Sequence, residues 1–495
     1  MNFTDIVSPV LRHAAARPDH PAFVFNNEIT SYGALVDEGR RAATALLDAG
    51  IQKGDRVAVL SANRPEIFSL YLGMAMIGAA IVPVNADFAP HEIRYILGHC
   101  GAKLLIEADE LTPTVERAVE GLEPAPLRET FDGFLARARA AEPCMEPQAA
   151  AGNDLVLLCY TSGTTSTPKG VAATHANELA SGLAYSGMWC IGPEDRILVM
   201  LPLTFSYGFH AATYVALLSG ATVLLAPKFH PRLALEAIEN LRPTVFLGVP
   251  TMYAMMADVA RKDGRRYDVS SLRLCAASGA ALNEQIEADC RQSIGITVRP
   301  YYAMTEVRPI FSFDLRLASQ PPAGSVGRLI APTEIRLVDD KGAEVPGGEV
   351  GELWVRGPSF SGAYYRDPVR TAEAMTDGWF RTGDLVVCEE GNFFIVGRNR
   401  DQIISGGAKI APIEVENALL AHPGIAAAAV VGSPDPVFGQ VVKAVVVKAD
   451  PELNEDDVLV HCRSCIAEYK VPRIVAFLDE LPVAPSGKVQ KSKLV

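Results

Sequence analysis

Apolar residues recur along much of this chain in two alternating textures. In "DRVAVLSANRPEIFSLYLGMAMIGAAIVPVN" a β-branched run, Arg56 to Leu60, precedes an apolar segment from about Pro65 and a second β-branched run near Ile81 to Val84. The pattern predicts strand, helix, strand. "ATVLLAPKF" and "PTVFLGVPTMYAMMADVA" repeat the sequence of strand, turn and helix. Strands alternating with helices predict parallel α/β sheets. From about Gly324 the texture changes. "GSVGRLIAPTEIRLVDDKGAEVPGGEVGELWVRG" reads as short strands with Gly and Pro turns, a β-rich and barrel-like section. A second change comes at "GRNRDQIISGG", Gly397 to Gly407. Beyond it, Ala411 to Ala421 reads as helix, "AAAAVVG" and "VVKAVVVKA" as strands, and "DDVLVHCRSCIAEYK" as an amphipathic helix. From Val471 the tail reads as loop and strand. The chain thus divides into a large N-terminal domain, residues 1–399, and a small α+β domain, residues 400–495. The boundary falls at Asn399–Asp401. No internal repeat or low-complexity tract is present.

Composition narrows the class. The length of 495 residues exceeds what one core usually organises. A hydrophobic share of 49% and a charged share of 21% are those of a soluble globular protein. The formal net charge of −13 argues against nucleic acid or an anionic membrane as partner, since both need basic surface. The N-terminus carries no signal-peptide core. The longest apolar run, Leu70 to Val84, contains Gly73, Gly78 and Pro83 and is short for a membrane span. The nine cysteines are scattered, and the pair Cys462 and Cys465 has no partner pair at zinc-site spacing. A cytoplasmic enzyme with reduced cysteines is the expectation.

Candidate chemistry begins at Tyr160 to Val171, "YTSGTTSTPKGV". Small residues let backbone N–H groups converge on phosphate oxygens. Thr161, Ser162, Thr164, Thr165 and Thr167 add hydroxyl donors, Gly163 adds backbone freedom, and Lys169 adds a cation. The pattern G-x-x-x-x-G-K-[ST] is not met, because Pro168 and Gly170 stand where it needs glycine and a hydroxyl. Taken singly, such a loop can also be a plain surface turn.

The motifs further along decide between these. The loop, "YYAMTEV" (Tyr301–Val307), "GELWVRG" (Gly351–Gly357), "GWFRTGDL" (Gly378–Leu385), "GRNRDQIISGG" and "PSGKVQK" (Pro485–Lys491) follow one another along nearly the whole chain. In this order they resemble the adenylate-forming superfamily, in its acyl-CoA synthetase branch. The resemblance implies ATP as substrate, with residues Thr161–Lys169 closing over the β- and γ-phosphates. It implies Thr305 at the α-phosphate and Glu306 on Mg2+. Tyr302 would stack on adenine beside the backbone of Gly279, Ala280 and Ala281. Asp384 would accept from both ribose hydroxyls, with Arg398 near the ribose. Lys488 would bridge the substrate carboxylate and the α-phosphate. Alone, Glu306 or Asp384 reads as a solvated carboxylate and Lys488 as a surface lysine. The implied reaction has two halves, acyl-AMP formation with pyrophosphate release and then transfer to a thiol. Both would run on one site through rotation of a mobile C-terminal domain about a hinge at Arg400.

Three positions depart from the family pattern. Ser166 replaces a glycine of the loop, Ala303 replaces the glycine of Y-G-x-T-E, and Phe205 stands where many relatives have histidine. Phe205 gates the acid pocket, and His210, five residues on, is expected to pack on its own helix. Ser206 follows Phe205 where amino-acid-activating relatives have aspartate, so an amino-acid substrate is not expected. Phe205, Tyr207, Phe246, Gly248, Ala303 and Arg308, with Trp189 and Ala277, would line an apolar, aromatic pocket. A small aromatic or short-to-medium aliphatic carboxylic acid would fit it. Arg308 would either pair with a second polar group of that acid or serve as a structural or rim residue. "GSPDPVFGQ" and "AEYKVPR" resemble acyl-CoA ligases, with Phe438 and Tyr469 against the CoA adenine and Lys470 and Arg473 near its phosphates. Loading a carrier protein's phosphopantetheine is the alternative to CoA. A homodimer is left open.

Overall fold

The structure is a computed structural model that describes residues 3–145, 152–161, 168–317, 321–362, 364–405, 408–483 and 489–495. Two sheets form the N-terminal body. One has six strands in the spatial order Leu127–Thr130, Leu104–Glu107, Arg56–Leu60, Ala80–Val84, Leu155–Thr161 and Lys169–Thr174. All its pairs are parallel except the last, where Thr161 lies opposite Lys169. The second runs Val298–Pro300, Leu274–Ala277, Val245–Gly248, Arg196–Val199, Thr222–Leu225, Pro21–Phe25 and Glu28–Ser31. It is parallel up to its terminal hairpin.

Strands buried on both faces explain the unbroken β-branched runs. Val57 and Val59 face the core shared by the two sheets, while Ala58 and Leu60 face the outer helices Pro90–Cys100 and Thr112–Val119. Between the sheets lies the helix Glu66–Met76, buried from Ile67 to Met76 and apolar on every side. It crosses Tyr32–Asp48 at a glycine contact. A Cβ on Gly73 would come 2.7 Å from the Gly39 carbonyl oxygen, so the helix Glu66–Met76 tolerates no side chain at that point.

The β-rich section is an antiparallel sheet of Glu334–Val338, Gly351–Arg356, Trp379–Glu389, Asn392–Arg398 and Met375–Thr376. Its core residues Leu353, Val355, Phe380, Val386 and Phe393 pack with Val307, Ile310 and Phe311, and so anchor the segment after Glu306. After a single turn at Asn399–Asp401 the chain enters a unit with its own core, including Ile403, Val415, Val430, Val446 and Val458. There the strands Ile425–Asp435 and Gly439–Lys448 form a long hairpin flanked by Pro412–Leu420 and Glu455–Cys465. The expected helix through Lys470 stops at Cys465. Ile466 turns to extended backbone and packs inward, and Glu468–Lys470 is a separate turn.

Candidate active site

The residues expected at the nucleotide lie partly on turns beside the sheets and partly within paired strands. Tyr302 and its neighbours form a tight turn, with Tyr302 N–H donating to Phe311 O at 2.8 Å and Met304 N–H to Val307 O at 3.0 Å. Asp384 lies in the strand Trp379–Glu389, directly opposite Arg398. Its carboxylate is buried. Oδ1 pairs with Arg398 Nε at 2.6 Å, and Oδ2 accepts from the Tyr302 hydroxyl. Burial and the Asp384 charge together push the Tyr302 phenol well above its ordinary value, so the O–H stays a donor. Burial would lower the Arg398 guanidinium, but Asp384 more than offsets it. Each carboxylate oxygen has a second lone pair, so ribose hydroxyls can add to these partners without displacing them. Gly279, Ala280 and Ala281 leave the strand Leu274–Ala277 as an exposed loop, and Gly279 takes the left-handed conformation with φ +89°.

Of the loop expected to bind phosphate, only the two ends fall within the described residues. Thr161 closes one strand and Lys169 opens the next. Ser162, Gly163, Thr164, Thr165, Ser166 and Thr167 lie outside the described residues, as does Lys488. Lys169 Nζ sits 4.7 Å above the Tyr364 ring, and the Tyr364 hydroxyl donates to Glu306 Oε1 at 2.9 Å. One tyrosine therefore touches both the loop lysine and the acidic residue expected at the metal. Thr305 is half-buried, and its carbonyl accepts from Arg308 Nη1 at 2.6 Å.

The acid-pocket residues fall into two groups. Phe205, Tyr207 and Ala303 are half-buried. Tyr207 donates to the Gly248 and Ala276 carbonyls, each at 3.2 Å, and meets the Tyr301 ring edge-on at 5.7 Å. It opens a wide helix, Tyr207–Tyr214, whose Val215 N–H reaches back five residues to His210 O. Trp189, Phe246, Gly248 and Ala277 are buried behind them. Trp189 donates to Ser312 Oγ at 3.3 Å, and Phe246 packs edge-on against Tyr253 at 5.3 Å. Arg308 is no rim residue. It is buried, and its other terminal nitrogen donates to Glu178 Oε1. His210 packs on Tyr214 of its own helix as expected, with ring centroids 5.4 Å apart, and its polar contacts reach a second helix. It bonds Glu178 and Ser181 of the helix His175–Met188, because a buried imidazole must satisfy both nitrogens.

In the C-terminal unit, Arg473 lies 3.9 Å over the Phe438 ring, and Lys470 lies 5.4 Å over the exposed Tyr469 ring. Lys470 is also ion-paired to Glu414. Asp435 Oδ1 accepts from the Val437 and Phe438 N–H groups at 2.8 Å each and shapes the turn that presents Phe438.

Comparison with known proteins adds to this geometry. The profile of the AMP-binding enzyme family matches residues 10–365, and that of the AMP-binding enzyme C-terminal domain matches residues 414–488. The chain belongs to the AMP-binding enzyme family. A feruloyl-CoA synthase of an Amycolatopsis species is 36% identical over 488 residues, covering 98% of this chain and 97% of that protein. Among solved structures, ATP-bound MatB from Rhodopseudomonas palustris superposes with a TM-score of 0.91 at 29% identity, over 99% of this chain and 98% of its own. The anthranilate CoA ligase AuaEII in complex with anthranoyl-AMP gives 0.92 at 27% identity, over 100% and 97%.

Against this family background, two residues that the sequence did not single out contact the expected site residues, Tyr364 at Lys169 and Glu306 and Glu178 at Arg308. Tyr364 reads in sequence as one of a Tyr pair before "RDP", with nothing to tie it to Lys169 and Glu306. Glu178 sits within an apolar helical pattern and reads as one polar interruption. A lone carboxylate on a buried helical face is the available signal, since it demands a partner.

Proposed function

We propose that this AMP-binding enzyme is an aromatic-acid–CoA ligase, with Thr305, Glu306, Tyr302, Asp384, Arg398 and Lys169 as its nucleotide residues. The reaction itself is ATP-dependent acid activation followed by thioester formation. The observation that carries the residue assignment is the Tyr302–Asp384–Arg398 cluster, in which Asp384 lies opposite Arg398 across two paired strands and accepts from Tyr302, three residues before Thr305. In the first half a substrate carboxylate oxygen attacks the α-phosphorus, and the bond to the β-phosphate oxygen breaks, releasing pyrophosphate. In the second a thiolate attacks the acyl carbonyl, and the bond to the AMP oxygen breaks. Thr305 would orient the α-phosphate, and Lys488 would neutralise the approach of one anion to another. Catalysis here is mostly positioning and charge compensation.

Glu306 fits a Mg2+ partner. Its Oε1 is held by Tyr364, which aims the carboxylate and leaves Oε2 for a ligand. Among the described residues no cluster of three or more His, Cys, Asp and Glu forms a dedicated metal cage. That suits Mg2+, which is commonly held by one carboxylate, water and substrate phosphates. The ion would supply charge compensation on the phosphates.

Phe205 and Tyr207 support an aromatic acid, and the solved relative with a bound aromatic acyl-AMP shares the fold. Phe438 under Arg473 and Tyr469 under Lys470 support CoA as the thiol, through stacking on adenine and charge for its phosphates. We place the domain boundary at 399/400 with Arg400 as the hinge, which matches the separate C-terminal core. The nine cysteines are all free, which fits a cytoplasmic location, and no helix of the described residues is long and apolar enough to cross a membrane.

The test is a panel of carboxylic acids assayed for pyrophosphate release, each with CoA and with a phosphopantetheinylated carrier protein. Aromatic acids turned over with CoA are the expected result. Turnover confined to the carrier protein would replace the CoA reading. In Phe205→Ala the acid ranking should change more than the KM for ATP, and an unaltered ranking would remove Phe205 from the pocket.

A further inference from the structure

Glu178, His210 and Arg308 form a charged cluster that neither the nucleotide site nor the acid pocket uses. Their relative exposures are 0%, 0% and 4%. Arg308 donates to Glu178 Oε1 and His210 Nδ1 lies 2.6 Å from Glu178 Oε2, while Ser181 Oγ lies 2.7 Å from His210 Nε2. Burial keeps His210 neutral, so its Nδ1–H donates to the carboxylate and its Nε2 accepts from Ser181. Burial alone would raise the Glu178 carboxyl, but Arg308 and His210 outweigh it and bring it down to about 2. Glu178 is therefore a carboxylate and Arg308 a cation at neutral pH. Tyr185 and Tyr214 pack on His210, with ring centroids 6.1 and 5.4 Å away.

The location of the cluster matters more than its chemistry. Glu178 belongs to the helix His175–Met188, which follows the strand opened by Lys169. His210 belongs to the wide helix opened by Tyr207. Arg308 follows the turn that carries Thr305 and Glu306, and its Nη1 holds the Thr305 carbonyl at 2.6 Å. The cluster thus ties together the three segments that carry the phosphate, acid and α-phosphate contacts. Replacing a buried ion pair with apolar residues is often neutral or stabilising, so stability alone does not require this one. A planar guanidinium held at two nitrogens also fixes direction. With one terminal nitrogen on Glu178, the other sets where the Thr305 carbonyl points. That peptide plane in turn sets the Thr305 side chain and the Glu306 N–H.

We infer that Arg308, locked by Glu178 and His210, is the positioning residue for Thr305, and that the acid-pocket helix and the phosphate-loop helix jointly set the α-phosphate contact through it. The inference rests on the reading of Thr305 as the α-phosphate residue. Arg308 is 4% exposed, its two terminal nitrogens each bond within the protein and its buried Nε has no hydrogen-bond partner among the described residues, so its bonds support positioning of Thr305 over pairing with a second anionic group on the acid.

Two variants separate positioning from mere stability. Glu178→Gln with Arg308→Met removes both buried charges together and keeps an amide oxygen as acceptor for His210 Nδ1–H, so the protein should fold with a thermal midpoint near that of the wild type. Arg308→Lys keeps the cation for Glu178 but has no second, fixed nitrogen for Thr305. Amide hydrogen exchange over residues 302–307, without ligand, should accelerate in both variants by roughly tenfold or more, while the strand Leu274–Ala277 keeps its protection. With an acid that the wild type accepts, kcat for pyrophosphate release should fall about tenfold or more in both, against a small change in KM for the acid. Arg308→Lys should thus rescue stability and not turnover. Wild-type exchange in the turn, or turnover restored by Arg308→Lys, would overturn the proposal. Unimpaired turnover in Thr305→Ala would instead overturn the α-phosphate reading, and the exchange measurement would still decide whether Arg308 holds the turn.

Discussion

Glu178 and Glu414 each pair with a cation, in opposite surroundings. Glu178 meets Arg308 in the interior, at the junction of three segments proposed to carry active-site residues. Glu414 meets Lys470 at the surface of the C-terminal unit, with 44% of its side chain in solvent. The first pair has no water to fall back on, so its geometry is held by the cost of breaking it. The second exchanges its partner for water at little cost. The same contrast runs through both regions. Asp384, Tyr302 and Arg398 are packed in place on the body, whereas Arg463–Glu468 of the C-terminal unit is a loose surface pair at 3.7 Å. Buried charges fix the geometry of the residues proposed to bring a phosphate and an acid together. Weak surface charges suit a unit that is proposed to reorient between half-reactions.

The contrast can be broken at its strongest point first. Glu178→Gln leaves Arg308 buried without a counter-charge and should destabilise the fold by roughly 3–5 kcal/mol, read by denaturant unfolding. The sign with pH follows from the depressed carboxyl. The contribution of Glu178 is intact above the ordinary value of 4.5 and is lost as pH falls toward about 2, so the gap between wild type and variant should close over that interval. A gap that persists at pH 2 would mean that the charge is not its source.

Lys488→Ala addresses the unit proposed to reorient. It should lower acyl-AMP formation on the order of 10²–10³-fold, while supplied acyl-AMP and CoA still give acyl-CoA. Two single-turnover assays on one folded preparation measure this. Equal loss in both halves would argue against a lysine that serves only the first half. In the body, Asp384→Ala strips Tyr302 and Arg398 of their shared partner and should lower kcat/KM for ATP roughly 10- to 100-fold. Steady-state kinetics with ATP varied reads it, and unchanged ATP kinetics would take Asp384 out of the site. Glu414→Gln is expected to be the mildest, within about 1 kcal/mol and smaller still at high salt. A larger loss would make the surface pair part of the fold and weaken the contrast.

Much of the architecture was legible in the chain. The run Arg56–Leu60 is a strand because its four apolar residues, Val57 to Leu60, suit a site buried on both faces. Local pattern also placed the helices after Val245–Gly248 and Thr222–Leu225. Pattern said less where the backbone leaves regular geometry. The wide helix Tyr207–Tyr214 was not foreseen, and it turns on a contact between distant parts of one loop. A Cβ on Gly208 would lie 2.4 Å from the Pro202 carbonyl oxygen.

The sequence by itself determined the family, the order of its motifs and the residue types the chemistry needs, because each motif is local and its spacing survives in one dimension. Tertiary structure alone decided which of those residues share a partner. Asp384 and Tyr302 are 82 positions apart, and Glu178 and Arg308 are 130 apart. Nothing in the spacing of a carboxylate predicts which distant cation will satisfy it. That choice is made when packing excludes water and leaves each buried charge only the neighbours that the fold brings to it.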